Sequence, residues 1–359
     1  MRRKPSPFLF YFLLASILLF NCTGSKRKAH PGYVNLSSLA DSITNTPMKS
    51  GRFGLASQFF EELATLKERE GANSARSVLL AFFSRLYPSV RITDSLAVLQ
   101  MVEWMSNCFT QMDSNGVFYT NGDADTYAAW YLQQVEDVRP DLIIISLPYL
   151  MGQDYRQMLQ RDLRIRSALN LSENDSIPVP PSTDSTKDVQ LEMVTRQITK
   201  SKHSPIYLAP RCGIGSEFGG HIVDLGLIKT FQDTAQPRDQ ILDQLISKLT
   251  RSWKLTYASM GIPDDQSYAA RFPSVQYLTL LIRFAPEFDQ GKKFEDMDTL
   301  FAYFEPALSK DWRFYYLRYR YCHKDKDECR MYLDRIEQIA SQHPEDKLLQ
   351  ETMHDLASD

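Results

Sequence analysis

The chain has 359 residues, of which 43% are hydrophobic, with 44 acidic and 41 basic side chains and a formal net charge of −3. That length holds one large domain or two modest ones, and the apolar fraction suffices to pack a core, which excludes a chain disordered throughout. The faintly acidic balance offers no broad basic field, so no nucleic-acid partner is expected.

Met1-Arg-Arg-Lys4 followed by the apolar run Phe8 to Phe20 has the charged start and hydrophobic core of a secretory signal, predicted over residues 1–21. The apolar run is 13 residues long, whereas a bilayer span takes about 20. Cys22 stands directly after it and is followed by Thr-Gly-Ser. This looks like a bacterial lipoprotein signal, in which the cysteine is acylated and becomes the mature N-terminus. Asn21 departs from the small residue usual before such a cysteine, and an ordinary cleaved signal or an uncleaved anchor are the alternatives. Lys26-Arg-Lys28 favours the periplasmic face, so the expected location is the cell envelope, lipid-anchored at the outer membrane and facing the periplasm.

Residues 22–50 are rich in Ser, Thr, Lys and Asn with no apolar period, and are expected to be a lipid-anchored tether. A helical segment and an α/β domain are expected over 51–238. Leu55, Phe59, Leu63 and Leu66 recur at helical steps, as do Val78, Leu79, Phe82, Phe83 and Leu86. Leu96, Leu99, Val102, Met105 and Phe109 predict a third core-facing stripe. Val117 then opens a strand, Asn121-Gly-Asp-Ala-Asp125 makes an acidic loop, an amphipathic helix follows, and Asp141 to Leu147 reads as a strand buried on both faces. This is the start of a small parallel sheet built from a βαβ unit.

The run from Val117 to about Tyr155, with Asn121, Gly122, Asp123, Asp125, Thr126, Trp130, Tyr131, Gln133, Val135, Glu136, Arg139 and Asp141, resembles a hallmark of a known family. The family is that of large multi-pass envelope proteins of Gram-negative bacteria known as protein O-mannosyltransferase-like, and the resemblance is to their soluble part. A weaker echo lies at Ser204 to Ala209, and Ala124 and Ala128-Ala129 depart from the family pattern. The membrane-spanning part that carries the glycosyl-transferring assignment in that family has no counterpart in this sequence. The resemblance therefore implies no catalytic residues.

Beyond this run, residues 153–169 are expected to be helical and 171–188 an exposed, disordered Pro-rich loop, followed by a helix at Val189 to Thr199 and a strand at Ile206 to Ala209. Residues 239–359 predict an all-α helical-hairpin domain of tetratricopeptide-like character: Ile241 to Tyr257, Val275 to Phe284, Phe294 to Leu308, Trp312 to Tyr321, Glu328 to Ser341 and Lys347 to Leu356.

Asp123 and Asp125, with Asn121, are the candidate ligand-binding side chains, since carboxylates suit a divalent cation carrying a sugar-phosphate. The alternative needs no ligand: Asp125 or Thr126 caps the following helix and Asp123 favours its positive end. Two aspartates do not define a metal, and no firm metal site or cofactor is assigned. A Cys212–His221 nucleophile and base pair lacks an orienting third residue. Cys322 and Cys329 flank a short turn and are a possible disulfide, with separate thiols as the alternative. Arg313, Arg318 and Arg320 alternate with aromatics along one helix and are candidate partner-binding residues, against stacking on Tyr within the fold.

The expected role is that of an envelope lipoprotein, membrane-bound by a palmitate-type anchor, acting as a non-catalytic scaffold subunit with an envelope protein partner, in a glycan-handling or protein-export context. The alternative is a metal- or sugar-phosphate-binding, glycosyltransferase-related module using the acidic loop.

Overall fold

A computed structural model describes residues 31–47, 51–86, 95–169, 171, 205–210, 212, 222–232, 237–260 and 268–356. The expected signal peptide, Cys22, residues 172–188, the helix expected at 189–199 and His221 lie outside the described residues. Helices dominate: α1 Pro31–Asn45, α2 Arg52–Glu70, α3 Ala72–Leu86 and α4 Ser95–Thr110 precede the sheet. The segment expected as a tether thus contains a helix, and Leu36, Leu39, Ala40 and Ile43 are buried on it. Their three- and four-residue steps are an apolar period that the polar composition around them masks. Residues 1–35 and 36–359 separate as two compact units.

Strand β1 Val117–Thr120 leads through the acidic loop into α5 Asp123–Trp130, a π turn at Tyr131–Val135, and β2 Ile143–Ser146. A 3-10 turn at Pro148–Met151, α6 Gln153–Arg161 and α7 Leu163–Ala168 follow, then β3 Ile206–Leu208, β4 Ile222–Asp224 and β5 Lys229–Phe231. The sheet order is β2-β1-β3-β5-β4. β1 pairs parallel with both β2 and β3, Val117 lying opposite Ile143 and Ile206. β5 runs antiparallel to β3 and β4. The expected parallel sheet is therefore a parallel three-stranded core extended by an antiparallel hairpin. Strands of three residues such as Ile222-Val-Asp224 are too short to register a two-residue alternation. Gly226, at φ 111°, makes the turn between them, where a side chain would be strained and would meet Leu245.

The C-terminal helices are α8 Arg238–Arg251, α9 Tyr268–Gln290, α10 Phe294–Leu308, α11 Trp312–Arg320, α12 Lys326–Gln342 and α13 Lys347–Leu356, with a 3-10 turn at Ala258–Met260. α11, α12 and α13 pack as successive hairpins. No helix among the described residues is long and apolar enough to cross a membrane.

Helix α4 joins the sheet to these helices, and its burial corrects the expected stripe. Leu96, Leu99 and Val102 are only half-buried, whereas Ala97, Val98, Met101, Trp104, Met105, Cys108 and Phe109 are buried. On a helix apolar nearly all round, periodicity does not choose the inward phase. Its polar residues Gln100, Glu103, Asn107 and Gln111 are also buried, at helical spacing, and each bonds the backbone of a loop. The Gln100 amide donates to the Tyr257 carbonyl at 3.0 Å, and the Glu103 carboxylate accepts from the Tyr257 and Ala258 N–H groups. Asn107 donates to the Lys254 carbonyl at 2.7 Å and accepts from the Lys254 N–H at 2.8 Å. Gln111 donates to the Leu225 carbonyl and accepts from the Leu227 N–H. The bonds of Gln100, Glu103 and Asn107 cross the boundary expected between 238 and 239, and residues 36–359 are one compact unit.

Candidate functional site

The carboxyl ends of β1 and β2 are where a parallel sheet places ligands, and the acidic loop lies there. Its backbone is extended at Gly122, with φ −162°, and a Cβ there would stand 3.2 Å from the Asp125 carboxylate. Gly122 occupies the cap position of α5, and no side chain caps the helix. This corrects the expected capping. Asp125 instead reaches back across the cap to accept from the Asn121 N–H at 2.8 Å, and the Thr126 hydroxyl lies 2.7 Å from that of Thr120 and 3.2 Å from that of Ser146. Asp125 is 5% exposed. Burial pushes its carboxyl up to about 6, although the surrounding backbone N–H groups pull the other way.

Asp123 accepts from the Arg52 guanidinium at 3.1 Å, bridging α2 to α5. Burial raises its carboxyl and Arg52 opposes the shift. The second Asp123 oxygen, the Arg52 Nε and one Asp154 oxygen are buried without a hydrogen-bond partner. Tyr127 and Tyr149 share a hydroxyl bond of 2.6 Å, and an aromatic wall closes around them. The Trp130 ring lies 5.5 Å from Tyr149 and 5.9 Å from Phe53, and Phe53 lies 4.6 Å from Tyr155.

The later residues of the hallmark run are engaged in the same way. The Tyr131 hydroxyl donates to Glu136 at 2.5 Å, and Glu136 pairs with Lys67 at 3.1 Å and Arg76 at 3.5 Å. Burial alone would raise the Glu136 carboxyl, yet the bonds from Tyr131 and Lys67 hold it below the usual range. The Gln133 amide donates to the carbonyls of Arg139 at 3.0 Å and Leu142 at 2.8 Å. Arg139, in the left-handed region at φ 55°, makes a two-pronged bond to Asp141 at 2.8 Å on each prong. It also donates to the carbonyls of Phe109, Met112 and Asp113 at 2.8–2.9 Å. Arg139 therefore satisfies the carbonyls that end α4. Its contact holds the Asp141 carboxyl down to about 2.

The other predicted residues divide. Cys322 and Cys329 are joined by a disulfide, their Cα atoms 5.7 Å apart, within the usual range for a bridge. Cys212 is a buried thiol whose sulfur lies 3.4 Å from the Tyr119 carbonyl, and burial pushes it far up, away from the thiolate a nucleophile needs. Arg318 faces inward, a correction to its expected place on a partner surface. It donates to Glu305 and to the Tyr332 hydroxyl, each at 2.6 Å, and stacks 4.5 Å from the Tyr332 ring. Arg313 pairs with Asp311 and remains 43% exposed; Arg320 is exposed. Among the described residues no group of three or more His, Cys, Asp and Glu is arranged to hold a metal ion.

Sequence reasoning missed Arg52 and the buried polar stripe of α4. Arg52 carries no signal, because its partner lies 71 positions away. The stripe did leave one: four amide or acidic residues at three- and four-residue steps on an otherwise apolar helix.

Residues 101–208, from within α4 to the end of β3, match the family described as TMEM260-associated domain 2. The match covers the parallel part of the sheet and stops before the antiparallel hairpin. No curated protein and no solved structure matches the chain.

Proposed function

We propose that the chain is a non-catalytic interaction subunit of a cell-envelope assembly, held at the membrane through Cys22. One observation carries this reading: the hallmark side chains Asp125, Thr126, Tyr131, Gln133, Glu136, Arg139 and Asp141 are bonded inside the fold, and Asp123 gives one of its two oxygens to Arg52. The run works as a clamp, holding α2, α4 and β2 around one loop. The Cys322–Cys329 bridge supports an oxidising compartment such as the periplasm. The partner surface in this reading is the outer face of α11 to α13, where Arg313, Arg320, Met331 and Leu348 are accessible, the last two at 56% and 59%.

Crosslinked envelopes, with the partner captured on wild-type and Arg313→Ser/Arg320→Ser chains, test the reading. A defined membrane protein should copurify with the wild type and be lost from the variant while the melting temperature stays within a few degrees. Mass spectrometry of the mature N-terminus should find acylated Cys22. Turnover of a glycan or nucleotide-sugar by the purified chain alone would overturn the non-catalytic role.

A second reading, a sugar-phosphate-binding module, is favoured by the unpartnered atoms of Asp123, Arg52 and Asp154 at the carboxyl end of β1 and β2. Calorimetry with Mg²⁺ or Mn²⁺ and a nucleotide-sugar decides it. Heat that disappears in Asp123→Asn would support this reading, and no heat with the wild type would remove it.

A further inference from the structure

At the amino end of β3, the opposite end of the parallel strands from the acidic loop, a groove of about 700 Å³ runs between α8 and the strands β3 and β5. Its volume falls within the range of about 300–1,000 Å³ typical of small-molecule sites. The groove is built from two kinds of surface. One wall is apolar, formed by Phe231, Leu225 and Pro205 over the buried Tyr207. The facing wall is amide and hydroxyl: Gln240, Gln244 and Ser247 project from one side of α8, because the opposite side buries Ile241, Leu245 and Leu249 in the helical core. Gln232 completes it from the end of β5.

What these side chains already do decides the ligand class. The side chains of Gln232, Gln240, Gln244 and Ser247 make no hydrogen bond among the described residues, and the Gln232 carbonyl oxygen is buried without a partner. An unpaired buried acceptor costs about 1–3 kcal/mol, so a donor from a ligand would recover that cost. The charged groups lining the groove are, by contrast, already held. Lys248 donates to the Thr110 carbonyl at 2.8 Å, Asp243 takes Lys293 at 2.5 Å, and Asp113 accepts from the Tyr207 hydroxyl at 3.0 Å. With Lys293 neutralising Asp243 and Lys248 offsetting Asp113, the charges about the groove nearly cancel, so it is not built to attract an anion.

A ligand suited to these walls is neutral, offers many groups that both donate and accept, and has an apolar face to lay on an aromatic ring. An amide offers both donor and acceptor at one position, which matches a hydroxyl's dual character. A peptide adding as a strand needs a free sheet edge, and the strands that line the groove, β3 and β5, are paired on both sides. We propose that this groove is a binding site for a neutral oligosaccharide, with Gln232, Gln240, Gln244 and Ser247 bonding ring hydroxyls and Phe231 packing against a sugar face. The site lies apart from the outer face of α11 to α13 and goes beyond the interaction role, so either can fail while the other stands.

The test uses the full chain and four neutral probes, maltotriose, cellotriose, mannotriose and chitotriose, read by saturation-transfer NMR and calorimetry up to about 10 mM. At least one probe should bind. Its affinity should fall at least about tenfold, or about 1.4 kcal/mol, in Gln240→Ala/Gln244→Ala, whose positions are exposed on α8 and whose circular dichroism should match the wild type. Gln232→Leu should weaken binding while leaving stability unchanged or improved, because it removes an unpartnered buried acceptor. The proposal is overturned if no probe binds, if binding survives the double substitution, or if a phosphorylated sugar such as glucose 6-phosphate competes better than its neutral parent.

Discussion

The hallmark region between β1 and β2 and the helical hairpins from α11 to α13 contain similar kinds of polar side chain and use them in opposite ways. In the first, they point inward and bond backbone groups that other elements leave open: Gln133 holds the Leu142 carbonyl and Arg139 the Phe109 carbonyl. In the second, they lie outside and pair locally, Arg330 with Asp334 at 2.8 Å and Lys324 with Glu328 at 2.7 Å. Inward bonds across long separations fix one geometry, since each unmade bond would leave a buried group bare. Local surface pairs stabilise by little and can be exchanged. A fixed polar interior together with an exchangeable surface suits a protein whose core is a frame and whose outer helices carry recognition.

If that contrast holds, the largest loss should come from cutting the polar stripe of α4. Asn107→Ala removes the bonds to both backbone groups of Lys254 and the 3.2 Å contact with the Tyr277 hydroxyl. Leaving these groups unpaired should cost about 3 kcal/mol, measured as a shift in the urea midpoint with an unchanged slope. A loss under about 1 kcal/mol would mean that water replaces the amide and that the stripe is not what fastens the C-terminal helices to the sheet.

The acidic loop offers a smaller effect that is sharp in pH. Asp125 in the folded chain is raised to about 6 from the ordinary carboxyl value of 3.8, so the folded state holds the proton more tightly. Its contribution is therefore fully present below about pH 4 and is lost as pH rises through 6. Asp125→Asn keeps an oxygen for the Asn121 N–H and does not titrate. The variant should gain on the wild type by about 2 kcal/mol between pH 4 and 7, then stay level. Asp141, held down to about 2, and Glu103, raised by burial, titrate in both proteins and cancel in the difference. A difference that is flat from pH 4 to 7 would show that the backbone N–H groups stabilise the ionised carboxylate as well as water does.

Much of the architecture was legible from pattern. Phe59, Leu63 and Leu66 mark α2, the Ile143–Ile145 run marks a strand buried on both faces, and the bounds of α10 and α13 follow from their apolar steps. These are local signals, set by spacing within one element. What escaped was non-local or very short. Whether α4 turns Leu99 or Met101 inward depends on what packs against it, and a three-residue strand such as Lys229-Thr-Phe231 exists only through its neighbours β3 and β4. The candidate site divides along the same line. Asp123 and Asp125 stand out in any reading of the loop, but their roles are set by Arg52 and by a backbone N–H, and neither is visible from the loop itself.

The two arginines Arg318 and Arg320 put the contrast between frame and surface onto a single helix. Arg318 is 11% exposed at its side chain, bonded to Glu305 and stacked on Tyr332 across the α11–α12 hairpin. Arg318→Ala should cost about 1–3 kcal/mol, because it bares both partners and removes a ring contact. Arg320, two residues on, has turned to solvent and reaches only the Tyr316 hydroxyl at 3.5 Å, the long limit of a hydrogen bond. Arg320→Ala should therefore stay within about 0.5 kcal/mol of the wild type, read by thermal melting at two salt concentrations, with no dependence on salt. A loss above about 1 kcal/mol would place Arg320 in the frame with Arg318, and the outer face of the hairpin would then be too committed to the fold to serve as the exchangeable surface.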